Sequence, residues 1–221
     1  MNKQYYLPPV FCFIVLIICP SILYGQETMI LGINSDEPTV ALPPRSSSNK
    51  IVAAANVDQL YYLKKGATNF KNTQAISSLG VYGDPVLHYS DRDLFYAHLS
   101  KTPNKKYGDW FDRIVVQKIH SFTPWRESSY SVGYNPPKMQ DKPWLSSDNN
   151  SKKFKGNVYV TWTEFDKYNS KDSSDFSRIR FSKYVPKFDS FSNAITISDT
   201  VGDCQDGDNT LEGATTAVGS N

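Results

Sequence analysis

A set of three hydrophobic landmarks occurs twice along this chain at nearly constant spacing, and that recurrence restricts the available folds more than any other feature. Leu94-Phe95-Tyr96 is followed by Arg113-Ile114-Val115 and then Trp125; Val158-Tyr159-Val160 is followed by Arg178-Ile179-Arg180 and then Phe191. The offsets are 63, 65 and 66 residues (159 − 96, 179 − 114 and 191 − 125). A partial earlier copy runs from Ile51 through Tyr61-Tyr62 to Phe70, 55 residues before Trp125 (125 − 70). Each landmark is short and rich in β-branched or aromatic residues, so each copy encodes several short strands. A small sheet of this kind keeps wet faces until neighbours cover them. The repeat therefore predicts an all-β chain, a β-propeller whose blades carry loop insertions. A β-sandwich with similar hairpins is the alternative.

The rest of the sequence agrees with strands. Tyr, Phe and Trp make up 14% of the residues, and 13 Pro and 12 Gly leave little room for long helices. No window carries an apolar stripe at helical period. Strands are expected at Ile51–Ala55, Gln59–Leu63, Pro85–Tyr89, Leu94–Leu99, Ile114–Ile119, Val158–Thr163, Ile179–Ser182 and Ala194–Ile197. Turns are expected at Lys64–Gly66, around Ser90-Asp91-Arg92-Asp93 and at Gly156-Asn157. Ala217–Asn221 reads as a strand entering a hairpin, which suggests an N-terminal fragment of a longer propeller.

The first 25 residues read as a signal peptide. Lys3 supplies the positive start, and Val10–Cys19 is an apolar run of ten, too short to span a bilayer. Cleavage before Gln26 is the expectation, and an uncleaved anchor is the rival reading. Secretion, or a periplasmic or cell-surface location without stable membrane insertion, follows. Residues 26–49 form an extension ending in the loop Pro43–Asn49, and residues 50–221 the partial propeller. Cleavage would leave Cys204 as the sole cysteine, so no intrachain disulfide is expected; it reads as a half-buried small hydrophobe. The net charge of +2 shows no basic stripe, which argues against nucleic acid as a partner.

Several stretches look like secreted bacterial proteins of the sialidase-like superfamily with Asp-box repeats. They are Gly83–Val86, Trp110–Lys118, Asn135–Lys142, Gly156–Asp166, and Gly202-Asp203-Cys204 with Glu212-Gly213-Ala214. The resemblance covers about Asn34 to Asn221. It implies a propeller and exo-α-sialidase or related glycosidase activity on a glycan or glycoprotein. It also implies a Tyr nucleophile assisted by a Glu, an Asp acid/base, and three arginines clamping the substrate carboxylate. The Asp boxes, turns between the outer strands of a blade, are degenerate. Lys64 stands for the Asp in Tyr62–Phe70, only Trp125 remains of the second, and Pro186 replaces the Asp in Tyr184–Phe191. The family's first arginine, in an F/Y-R-I-P pattern, has no counterpart; Arg45 stands in Pro-Pro-Arg-Ser, with Arg92, Arg113, Arg126, Arg178 and Arg180 beyond it.

Candidate residues follow from chemistry and position. Asp112 and Arg113 precede a strand, where a guanidinium can meet a substrate anion; a surface ion pair is the plainer reading. Glu164 and Asp166 follow the strongest strand as a carboxylate pair suited to acid/base work, or as solvated turn acids. Asp141, Lys142 and Trp144 are placed in a loop, where Trp144 can stack on a sugar or simply pack. Glu212 is a candidate carboxylate for the central face. Asp203, Asp206, Asp208, Asn209 and Glu212 crowd one short loop; their oxygen density suits Ca²⁺ without matching an EF-hand, against the plainer reading of a solvated acidic turn, and no other cofactor is expected. His88, His98 and His120 lack zinc spacing. A non-catalytic propeller binding glycan or protein, and an inactive fragment, are the alternatives to a glycosidase.

Overall fold

Among the described residues, fourteen short elements follow the turn chemistry of the chain, and thirteen of them are strands. The computed structural model describes residues 36–44, 50–64, 66–91, 93–104, 111–205, 207 and 209–219. The expected signal peptide, Arg45, Arg92, Trp110, Asp206 and Asp208 lie outside the described residues. Among the described residues the only helix is a single 3₁₀ turn, Pro186–Phe188, and no helix is long and apolar enough to cross a membrane.

The strands form three antiparallel meanders in chain order. The first sheet is β1 (Thr39–Ala41), β2 (Lys50–Ala55), β3 (Gln59–Lys64) and β4 (Lys71–Gln74). The second is β5 (Val86–Ser90), β6 (Asp93–Ser100), β7 (Arg113–Phe122) and β8 (Trp125–Val132). The third is β9 (Met139–Ser147), β10 (Val158–Phe165), β11 (Ser177–Val185) and β12 (Ser190–Phe191), with β13 (Ile195–Thr196) also pairing β11. None closes into a barrel. The repeated landmarks fall on equivalent strands. Leu94-Phe95-Tyr96 and Val158-Tyr159-Val160 lie on second strands, Arg113 and Arg178 at the start of third strands, and Trp125 and Phe191 on fourth strands. The three degenerate boxes lie at the connections between third and fourth strands.

The first strands of the sheets run together, β1 beside β5 and β5 beside β9. Thr39 Oγ1 accepts from the Leu87 amide at 3.3 Å, and Ser147 Oγ donates to the Tyr89 carbonyl at 3.1 Å. Burial follows the period of two. On β6, Leu94 and Tyr96 join Val52, Ala54, Leu60 and Tyr62 in a core between the first and second sheets. Phe95, Ala97 and Leu99 face the other way, into a core with Val158, Val160 and Trp162 of the third sheet. A sheet buried on both faces needs apolar residues at successive positions, which is why β6 reads as a nearly continuous apolar run. Trp162 is fully buried. Gly133, at φ +70°, leaves room for its ring; a Cβ there would lie 2.6 Å from Trp162 Cζ2.

Several expectations are corrected. Asp141, Lys142 and Trp144 sit on β9, not in a loop. Pro143 suggests a break, yet β9 is the terminal strand of its sheet, paired on one side only with β10, where a missing N–H need not interrupt the ladder. Leu211–Gly219 contains no strand, so the described part of Ala217–Asn221 does not start a hairpin. Cys204 is fully buried, beside Met139 and Phe165. β4 and β8 were not anticipated. They are fourth strands with exposed Lys, Asn, Arg and Ser, so their sequences lack a strand signature.

Candidate functional site

An acid stands at or just before the start of each first strand, and Lys142 draws two of them together. Glu37-Pro38 precedes β1, Asp84-Pro85 precedes β5, and Asp141 lies near the start of β9. The β9–β10 register shifts between Thr161 (opposite Trp144) and Thr163 (opposite Asp141), leaving Lys142 and Pro143 together facing Trp162. This is a β-bulge, and Lys142 takes φ +46° within it. The bulge presents Lys142, Pro143 and Trp144 to a cleft of about 320 Å³ whose wall also includes Glu37 and Asp84. Trp144 is 42% exposed at its wall. Gly213, Ala214 and Thr215 also line the cleft. Thr161 Oγ1 holds that segment by donating to the Ala214 carbonyl at 3.2 Å. Thr216 Oγ1 adds a hydrogen bond to Ser146 Oγ at 2.8 Å.

The carboxylates share one cation. Lys142 Nζ lies 3.0 Å from Glu37 Oε1 and 3.4 Å from Asp84 Oδ2. Asn56 Nδ2 donates to Glu37 Oε2 at 2.8 Å, while Asn56 Oδ1 accepts from the Asp84 amide at 2.8 Å. The Lys142 amide donates to Asp141 Oδ1 at 2.9 Å. Burial pushes Asp141 up to about 7, and the negative charges of Asp84 and Glu212 add to the shift against the pull of Lys142. Burial also raises Asp84; Lys142 opposes this, while Glu37 reinforces it. Glu37 is drawn below its ordinary range, because hydrogen bonds from Lys142, Asp84 and Asn56 outweigh its partial burial. Lys142 is held above the usual lysine range: burial works against its charge, and the hydrogen bond to Glu37 with the charges of Asp84, Glu37 and Asp141 overcomes it. One carboxylic acid with a proton to give near neutral pH therefore sits beside a second carboxylate.

The site thus brings together Asp141, Lys142 and Trp144, all singled out from the sequence, with Glu212 acting on Asp141 through its charge, and adds Glu37 and Asp84. A signal for the additions was present: an acid followed by proline at once, or after one residue, recurs at Glu37-Pro38, Asp84-Pro85 and Asp141-Lys142-Pro143.

The remaining candidates stand apart as internally satisfied groups. Glu164 is 2% exposed and accepts from Asn135 Nδ2 at 2.9 Å, Gln140 Nε2 at 3.4 Å and Arg178 Nη1 at 3.0 Å. Arg178 also grips Asp166 through both terminal nitrogens at 2.8 and 2.7 Å, and Asp166 is held far below the ordinary carboxylate range chiefly by that contact. Arg113 Nε donates to Asp112 Oδ1 at 2.7 Å, its Nη2 reaches Thr102 Oγ1 at 2.8 Å, and its guanidinium stacks 4.1 Å from the Tyr134 ring centroid. Burial favours a higher value for Asp112, but hydrogen bonds from Arg113 and Thr102 bring it below normal. These pairs fasten the ends of β7, β10 and β11. Asp203 Oδ1 accepts from the Gln205 amide and from Thr210 Oγ1, at 3.2 and 3.3 Å. Asp206 and Asp208 lie outside the described residues, and no group of three metal-ligating side chains occurs among the described ones. Compared with known proteins, the chain matches no family model, no curated protein and no solved structure.

Proposed function

We propose that this chain is an extracytoplasmic protein of β-propeller type that hydrolyses a glycosidic bond, with Asp141 as general acid and Asp84 as its carboxylate partner. One observation carries the reading: an acid pushed up to about 7 lies beside a second carboxylate, Asp84, which lines a cleft whose wall bears an exposed tryptophan. Two carboxyl groups whose environments drive them apart are the usual equipment for protonating a leaving group while a partner remains charged. Trp144 offers the flat apolar face on which a pyranose ring stacks. Three consecutive meanders with neighbouring first strands support the propeller arrangement, which assembles a cleft at one end of those strands. The short apolar run at the N-terminus supports export.

The test is hydrolysis of a panel of chromogenic glycosides, sialosides included, by the full chain. Turnover should fall as pH rises above about 7, when Asp141 loses its proton. Asp141→Asn should lower kcat by about 10²–10⁴-fold, the range for a general acid. Glycan binding with no turnover of any glycoside would replace hydrolysis with a purely binding role.

A further inference from the structure

Two carboxylates, Glu37 and Asp84, stand in the wall of the cleft, and the charges of Asp84 and Glu212 act on the neighbouring Asp141. A single ammonium, Lys142, stands against them, and it already bridges Glu37 and Asp84. Asp84 Oδ2 is buried with Lys142 Nζ 3.4 Å away, and the Asp84 carboxyl also interacts with Asp141 and Glu37. No arginine among the described residues lines the cleft. Arg113 and Arg178 are committed to Asp112 and to Glu164 with Asp166, and Arg180 donates to Thr196 Oγ1 and the Ala194 carbonyl. A substrate carboxylate, as in sialic or uronic acids, would enter a field of its own sign without a guanidinium fork to receive it. A ligand ammonium would meet two wall carboxylates against a single cation. The exposed ring of Trp144 adds a surface for the apolar face of a sugar, and for a cation as well.

We propose that the cleft binds a cationic amino sugar, a pyranose bearing a free ammonium, in preference to neutral or acidic sugars. This rests on the glycan reading above and narrows its substrate class. The ammonium of the sugar competes with Lys142 for Glu37 and Asp84, so affinity is strongest at low salt and weakens as the cleft charges are screened.

Calorimetric titration of the full chain with three probes tests this: a glucosamine tetrasaccharide, its fully N-acetylated counterpart and sialyllactose. The pH is chosen so that the glucosamine amines are protonated. The expected result is at least about tenfold tighter binding of the amine form at low ionic strength, an advantage that shrinks at molar salt. Glu37→Gln, at an exposed position, should reduce that advantage several-fold, and Lys142→Met should increase it. Equal or tighter binding of the N-acetylated or sialylated probe overturns the charge assignment while leaving the glycan reading intact. No binding of any probe overturns both. Preference for a lysine-rich peptide over all three sugars also overturns the proposal, by identifying the ammonium without the sugar.

Discussion

Asp141 shows how a reactive group burdens the fold that holds it. Its carboxyl is buried and pushed up to about 7 from an ordinary value of 3.8. Between those values the folded chain holds a proton that the unfolded chain has released, so this residue makes stability fall as pH rises through that window. Asp141→Asn should therefore lose activity yet raise Tm at pH 8, by roughly 4 °C if 1–2 kcal/mol is recovered, measured by thermal melts of both proteins. His98 has the opposite sign. It is fully buried, its Nδ1 lies 2.8 Å from the Leu99 carbonyl, and burial lowers it from 6.5 to about 4. The unfolded chain binds the extra proton in that interval, so stability from His98 is complete above about 6.5 and drains away as pH falls towards 4. His98→Gln should flatten the acid limb of a Tm-against-pH curve; an unchanged slope between pH 6.5 and 4 would reject this.

At the scale of single elements, β9 was the strand least visible in the sequence and the one most needed by the site. β6 and β10 are legible because two neighbouring sheets, or a sheet and the C-terminal segment, cover both their faces and demand apolar residues almost throughout. β9 includes Asp141, Lys142 and Pro143, the vocabulary of a turn, because a bulge and a site occupy it. Trp144 and Asp141 were still recognisable as sugar-binding and acidic candidates, but Glu37 and Asp84 acquire meaning only when three distant strand starts meet. Deleting Lys142 would remove the extra residue of the bulge and flip the side chains on one side of it to the opposite face. The variant should keep a β-type circular dichroism spectrum while losing glycan binding at least about tenfold. Pro143→Ala, which leaves the bulge its residue count, is the control expected to retain binding.

Across the whole molecule, the repeat was readable because equivalent strands meet equivalent environments. Its unequal offsets come from insertions, such as the long β9–β10 and β10–β11 connections, which do not disturb the ladders. The second sheet holds the other two through the cores on its faces, so the third-sheet tryptophan at that boundary is a sensitive point. Trp162→Ala should cost about 3–5 kcal/mol in urea denaturation. Gly133→Ala, which forces the same ring to move, should weaken the fold in the same assay.

Glu37, Asp84 and Asp141 each stand at the head of a separate meander. Loss of one anchoring loop therefore subtracts one charge without dispersing the others. The cleft's electrostatic character is distributed among independent supports, and it can be retuned one support at a time.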